Sequence, residues 1–391
     1  MSFGARTILR KAGKSAFLIA FGLGACWSQH VPSGPITING QSGTVITNLR
    51  ITSTTGDCIT ITNSTNITVK NSEIGPCGTA SATTHGNGIS LSGNNGIYIY
   101  DNYIHPETAS RGCCDHHDGI FGSQNNQNVT IQGNVIAYGE SNIEFTNANS
   151  VLTVTGNFLL NPRGPQPRGQ NFQCWGADSN HVCSNVTIDS NYALSSVDTT
   201  RFLYPENQED SINFGLSTGI IAENNFISGG HSSSGCGLIA DDRANNVQFQ
   251  GNLLLNTGQC GIGIANGVNQ IVSGNQIYNS TPVRGAGNTA IYVWKQYASP
   301  CGPSTVSGNV ADMILANGQH NAYWDGGGCG ARWSGNVFNK TADSQLTPVD
   351  RVFAPPLIPP RPKQCIATSP YTTNTTAASG LPLCSGAAST N

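Results

Sequence analysis

The chain has 391 residues, a formal charge of −3 and only 10% charged side chains, against the roughly 25% of an average soluble protein. A helical bundle or coiled coil needs Ala, Glu, Lys, Leu and Arg in bulk. A nucleic-acid binder is normally basic, and 37% apolar residues exclude a disordered chain. The 47 Gly follow no three-residue period, so collagen is excluded as well. What remains is a turn-rich all-β protein, long enough for a sizeable core.

Taken in chain order, Arg6, Arg10, Lys11 and Lys14 precede an apolar run from Ala16 to Ala25. This is the layout of a secretory signal, predicted over residues 1–26. The run is too short to span a bilayer. It ends Leu23-Gly24-Ala25-Cys26, which resembles a bacterial lipobox, so Cys26 is a candidate lipid anchor and ordinary cleavage is the alternative. The mature chain is expected to be secreted, periplasmic or tethered to an outer surface, as a monomer. Removing Cys26 from the 13 cysteines leaves an even number, as an oxidising compartment favours. Proximity suggests the pairs Cys174–Cys183, Cys301–Cys329 and Cys365–Cys384. No Cys pair has zinc spacing.

A repeat organises the middle. Alternating segments such as Val129-Thr130-Ile131-Gln132-Gly133-Asn134 and Val186-Thr187-Ile188-Asp189-Ser190-Asn191 each end in Asn. That Asn recurs at 102, 134, 157, 191, 225, 252, 275, 309 and 336. A second short strand accompanies each turn, as in Cys58-Ile59-Thr60-Ile61 and Gly88-Ile89-Ser90-Leu91. Period-2 alternation sends Ile and Val inward and Thr, Ser, Glu and Asn outward. Stacked Asn side chains can bond along the axis as a ladder. The pattern predicts a solenoid of about ten coils and roughly 50 Å, with a Pro/Ser/Thr-rich tail over 345–391. A β-propeller would need longer repeats.

Stacking the turns puts Ile59, Ile89, Ile120, Ile143, Phe172, Ile212 and Ile262 in one buried column. Two residues earlier stand Asp57, Asn87, Asp118, Ser141, Gln170, Asp210 and Cys260. One residue later stand Thr60, Ser90, Phe121, Glu144, Gln173, Asn213 and Gly263. Acids and amides concentrate between about 118 and 213, on the turns with long insertions, which predicts a walled groove there. Glu144, Gln170, Gln173 and Asp210 are candidate substrate contacts. Glu206 and Glu209 could add to them, and Trp175, Trp294, Lys295 and Tyr297 are candidate contacts to sugar rings. His116 and His117, between Asp115 and Asp118, have metal-ligand chemistry. Asp241-Asp242-Arg243 and Gly230-His231 lie further along the rod.

The repeat resembles the right-handed parallel β-helix of the pectate-lyase-like superfamily over residues 35–340; the handedness is what the resemblance implies. Arg163-Gly164-Pro165-Gln166-Pro167-Arg168 fits the R-x-P-x-x-R pattern of that family. Asp101 in Ile99-Tyr100-Asp101-Asn102 stands where the family has W-I-D-H, and Asp118-Gly119-Ile120 resembles its D-G-I step. Glu140 stands where the family has an acid before a lysine, here Ser141. The resemblance implies Ca²⁺ held by Asp101, Asp118 and Glu140, Arg163 as base and Arg168 as a grip on substrate carboxylate. The reaction would be β-elimination on an acidic, uronate-containing polysaccharide, whose C5 proton becomes acidic once its carboxylate is neutralised. A C5-epimerase would use the same chemistry. A second resemblance, to polygalacturonases, lies in Gly56-Asp57-Cys58-Ile59, Asn66-Ile67-Thr68-Val69 and His85-Gly86-Asn87-Gly88-Ile89-Ser90-Leu91, with Gly56 in place of one Asp. A third possibility is a non-enzymatic glycan-binding scaffold, since fold does not fix function.

Overall fold

The computed structural model describes residues 30–79, 83–106, 117–164, 169–195, 209–230, 232–283 and 287–339. The expected signal and Cys26 anchor, Arg168, Asp115, His116, Glu206, His231, the Cys365–Cys384 pair and the 345–391 tail lie outside the described residues. Among those described, all regular structure is β, and no helix is long and apolar enough to cross a membrane.

Three parallel sheets form the fold. Sheet A has twelve strands, from Val31–Ser33 to Val337–Phe338. Sheet B has eleven, from Ile36–Asn39 to Tyr323–Gly327, and sheet C eleven, from Val45–Thr47 to Ala331–Ser334. The chain visits A, B and C in turn, so each strand pairs with its equivalent one coil away. This is a right-handed parallel β-helix, as expected. The sequence pattern showed two strands per coil, but the structure has three. The third follows the Asn, in sheet A, and is short and uniformly buried, as in Val135–Ala137, Phe158–Leu160 and Leu253–Leu255. A strand buried on both faces has no alternation to read.

The predicted column exists. Ile59, Ile89, Ile120 and Ile143 are in register on sheet B, and Phe172 pairs with Ile212. The reading omitted one coil: Leu238 stands between Ile212 and Ile262. All are fully buried. The Asn ladder exists as well. Asn102, Asn134, Asn157, Asn191, Asn225, Asn252, Asn275 and Asn309 each give both backbone N–H and Nδ2 to Oδ1 of the next Asn, at 2.9–3.0 Å, ending at Asn336. The ladder satisfies the buried amides at the corner between sheets C and A.

A second Asn class sits just before the inward residues of sheet C. Asn66, Asn128, Asn185 and Asn246 have φ between 53° and 55°, and Gly96 and Gly219 fill equivalent positions. Left-handed backbone favours these residues. The recurrent Asn-x-Thr triplets Asn66-Ile67-Thr68, Asn128-Val129-Thr130 and Asn185-Val186-Thr187 are thus accounted for by backbone geometry. One coil breaks the rule: Val151 adopts φ 56° and is exposed. Val151→Asn is expected to stabilise the protein by about 1 kcal/mol, read as a rise in the urea midpoint at unchanged m-value.

Four described disulfides close the coils: Cys58–Cys77, Cys174–Cys183, Cys236–Cys260 and Cys301–Cys329. Two of these were suggested by proximity. Such cross-links are those of a protein matured in an oxidising compartment.

Candidate functional site on sheet B

The corner between sheets A and B carries a polar ladder of its own. Asp57 Oδ1 accepts the Asn87 N–H, Asn87 Oδ1 the Asp118 N–H and Asp118 Oδ1 the Ser141 N–H, at 2.8, 2.8 and 2.9 Å. Ser141 Oγ donates to Gln170 Oε1 at 2.8 Å, and Gln170 Nε2 to Glu209 Oε2 at 2.9 Å. Asp118 and Gln170, expected to hold metal and substrate, therefore also couple neighbouring coils. The same applies to Asp57 and Asn87 of the polygalacturonase-like stretch.

The lyase-like residues divide between corners. The Arg163 N–H is bonded to the carbonyls of Gly139 and Glu140 at 2.8 and 3.2 Å, and the Glu140 N–H to His117 O at 2.9 Å. His117, Glu140 and Arg163 thus stack on successive coils at the A–B corner, beside Asp118, and all four are buried. Asp101 does not join them. It lies at the C–A corner, between strands Asn95–Tyr100 and Tyr103–Ile104, with its carboxylate against Gly133. The three acids expected to share Ca²⁺ are not one donor set. Among the described residues no group of three or more His, Cys, Asp or Glu is placed to hold a metal ion. Sequence spacing placed Asp101 on the right coil; it did not show that a sheet A strand separates it from Asp118.

On the outward face of sheet B, Glu144, Gln173 and Asn213 stand side by side. Ile239, Gly263, Tyr292 and Trp324 continue the row. Glu144, Gln173 and Asn213 are buried, and the Gln173 Oε1 and Asn213 Oδ1 atoms have no hydrogen-bond partner among the described residues. Buried amide oxygens left open in this way are a cost that a ligand donor would relieve.

The omitted coil brings Asp241 into this site. Asp241 follows strand Cys236–Ala240, one coil beyond Asp210, which precedes strand Ile212–Gly215. Asp210 Oδ1 accepts the Cys236 N–H at 2.7 Å and Oδ2 the Asn213 amide at 2.7 Å. Asp241 Oδ1 accepts the Tyr297 hydroxyl at 2.7 Å and the Asp242 N–H at 2.9 Å. Burial pushes the Asp210 carboxyl well above the usual range, and the nearby Glu209 and Asp241 charges push it further. Burial raises Asp241 too, but the Tyr297, Asp242 and Asn213 donors oppose it. Burial and the adjoining acids hold Tyr292 and Tyr297 in their neutral, proton-bearing forms.

Aromatic side chains wall this pair. A Cβ on Gly215 would meet the Trp175 ring at 2.3 Å, so only Gly lets the indole lie back toward Asp241. A Cβ on Gly263 would meet Tyr292 at 2.7 Å, so Gly263 lets that ring lie toward Ile239. Lys295 is exposed, on the turn after strand Thr289–Trp294, its Cβ over Gly328. The sequence reading missed Asp241 as a site residue because the coil from 226 to 252 was left out of the column. The Asn spacing from 225 to 252 was the signal that would have found it.

No protein-family model and no curated protein matches the chain. Solved structures match over most of its length. Tailspike protein 2 of Escherichia coli O157:H7 bacteriophage CAB120 aligns with 14% identity and TM-score 0.50, over 81% of this chain and 43% of that one. The Dettilon tailspike protein aligns with 15% identity and TM-score 0.46, over 78% and 60%. The periplasmic alginate epimerase AlgG aligns with 12% identity and TM-score 0.41, over 80% and 77%. The chain thus spans about 60% or less of the two tailspikes. At these identities the likeness concerns the β-helix fold.

Proposed function

We propose that the protein is an extracytoplasmic, carbohydrate-active β-helix enzyme that hydrolyses glycosidic bonds at the Asp210–Asp241 pair. The observation that carries this reading is a pair of carboxyls on adjacent coils with unequal surroundings: Asp210 is buried and held by the Cys236 N–H and the Asn213 amide, and Asp241 is half-buried and held by the Tyr297 hydroxyl and the Asp242 N–H. Division of two carboxyls into a proton-holding acid and an ionised partner is what glycosidic hydrolysis requires. Asp210, the more strongly raised, gives its proton to the glycosidic oxygen as the bond to the anomeric carbon breaks. Asp241, less raised, takes a proton from the water whose oxygen bonds to that carbon. Gln173 and Asn213 offer open amide oxygens to sugar hydroxyls, and Trp175 restricts water beside Asp241. The four disulfides, and the signal expected from the sequence, fit a protein that acts outside the cytoplasm.

β-Elimination on a uronate polymer is the second reading. It is favoured by one observation: Arg163 stacks on Glu140 at the A–B corner, one coil before Asp210. Ca²⁺ would supply the neutralising charge in that chemistry. The neighbouring Glu140 and Asp118 carboxylates favour a protonated guanidinium, which weakens Arg163 as a base.

Product analysis on a panel of neutral and uronate polymers, with Ca²⁺ and with chelator, separates the two. Hydrolysis releases new reducing ends without ultraviolet absorbance. A Ca²⁺-dependent absorbance from unsaturated uronate, lost in Arg163→Ala, would replace this reading with the lyase. The same assay checks a pH prediction. Tyr297→Phe removes a donor that stabilises the Asp241 carboxylate, so its pKa rises further. The acidic limb of the kcat/KM profile is expected to move to higher pH, while the basic limb stays with Asp210.

A further inference from the structure

Residues 295–303 join strand Thr289–Trp294 of sheet B to strand Ser304–Ser307 of sheet C, but by an indirect path. The Gln296 N–H bonds Ala265 O at 2.9 Å, one coil back. Tyr297 and Ser299 reach two coils back, ~10 Å along the axis, to the acids that follow strand Cys236–Ala240. There Tyr297 gives its hydroxyl to Asp241 at 2.7 Å, and Ser299 gives its own to Asp242 at 2.9 Å. The Asn266 amide donates to Ser299 Oγ and so aims that hydroxyl at Asp242. The Tyr297 ring lies on an apolar patch of Cys236, Ile239, Cys260, Ala265 and Tyr292.

The far end of the turn is fixed twice. The Gly302 N–H bonds Gly267 O at 2.7 Å, and Cys301 is cross-linked to Cys329 on the following coil. A Cβ on Gly302 would run into the Cys329 backbone, so Gly lets the two turns approach. Holding a turn in one shape costs conformational entropy at every residue. A cross-link at one end lowers that cost, and the Ser299 bond adds a tether two residues from Tyr297. Asp241 and Asp242 are neighbours in the chain, so the Tyr297 and Ser299 bonds grip one turn and act together. Charge around Asp241 comes from Asp210 on the coil before, itself beside Glu209, from Asp242 on its own turn, and from the Tyr292 and Tyr297 hydroxyls on later coils. Arg243 is paired with Asp242 at 2.9 Å, and Lys295 is exposed.

We infer that Ser299 and the Cys301–Cys329 bridge are positioning groups for the carboxyl pair: they latch the 295–303 turn across two coils and so hold the Tyr297 hydroxyl on Asp241. This rests on the hydrolase reading for its effect on catalysis, but the latch itself is read without turnover. Burial and the Asp241 carboxylate keep the Tyr297 phenol protonated beyond its usual range. Released from the latch, it is expected to ionise near the ordinary value of about 10. In the full-length protein, Ser299→Ala/Cys301→Ser/Cys329→Ser is therefore expected to gain the absorbance of one further tyrosinate, and adding Tyr297→Phe is expected to remove that gain. Ser299→Ala alone keeps the cross-link. Hydrogen exchange of its Gln296 amide is expected to quicken about fivefold and to recover in Ser299→Thr. In turnover, the acidic limb of kcat/KM is expected to move to higher pH in Ser299→Ala, at unchanged KM, and no further than in Tyr297→Phe when the two are combined. Circular dichroism confirms that each variant is folded. Added tyrosinate and faster exchange in a protein that turns over no polymer would leave the latch standing and sink the hydrolase reading. No added tyrosinate in the folded triple variant, unchanged exchange in Ser299→Ala, or limb shifts that add in the combined variant would overturn the latch.

Discussion

Asp210→Asn is expected to lower kcat by about 10²–10⁴-fold, the range for loss of one general acid, without unfolding the protein. The amide keeps the shape of the carboxyl. Its Oδ1 still accepts the Cys236 N–H, and a flip of Asn213 presents an otherwise unpartnered Oδ1 to the new NH₂. Stability is expected to move in the opposite sense from activity. Burial raises the folded pKa of Asp210 above its unfolded value, so the folded state holds this proton when the unfolded state has lost it. The contribution of Asp210 is therefore fully favourable below the unfolded carboxylate range. It is lost as pH climbs through that range toward the raised folded pKa. Asn has no such dependence. The variant is expected to unfold at a denaturant concentration equal to or above that of the parent near neutral pH, with a flatter pH profile. A variant that loses activity and stability together at neutral pH would make Asp210 a structural group rather than the acid.

Much of the fold was legible because the chain writes it repeatedly. Asn134, Asn157 and Asn191 mark one corner, and Ile120, Ile143 and Phe172 mark one column of sheet B, so stacking them gives the register directly. Strands such as Val135–Ala137 were not legible, because residues buried on both faces carry no alternation. The site was legible only in part. Glu144, Gln173 and Asn213 share a column that spacing alone identifies. Asp241 is recognised only when its coil is counted, and its role depends on Tyr297, which folds back across 56 residues of sequence to reach it. Asp101, Asp118 and Glu140 show the converse: all three occupy plausible positions in a family pattern. Which of the three corners each acid occupies is fixed by the length of the intervening strands, and motif order does not encode that length.

Asn191→Leu is the change expected to damage the fold most for its size. Leu has the same branched skeleton as Asn, with methyl groups in place of the amide oxygen and nitrogen, so the substitution leaves no cavity and exposes no apolar surface; the bulkier methyl groups add some crowding to the loss. What is lost is a two-way connection. Asn191 Oδ1 accepts the Asn157 N–H at 3.0 Å and its Nδ2 at 2.9 Å. Its own Nδ2 serves Val154 O, Asp189 O and Asn225 Oδ1. The substitution strands the Asn157 N–H in a fully buried corner, where water cannot replace the acceptor. One stranded buried group costs about 1–3 kcal/mol, and interrupting a chain of mutually polarising amides adds to this. A loss of about 3 kcal/mol or more is expected in urea unfolding. Asn336→Leu, at the partly buried end of the described ladder, is expected to cost less than half as much, because no further coil among the described residues bonds to it and solvent is near. Asn128→Gly, in the exposed left-handed class, is expected to be close to neutral. Equal costs at 191 and 336 would show that the ladder is a set of independent bonds; a steep fall toward the end would show that it stabilises the solenoid as a continuous strip.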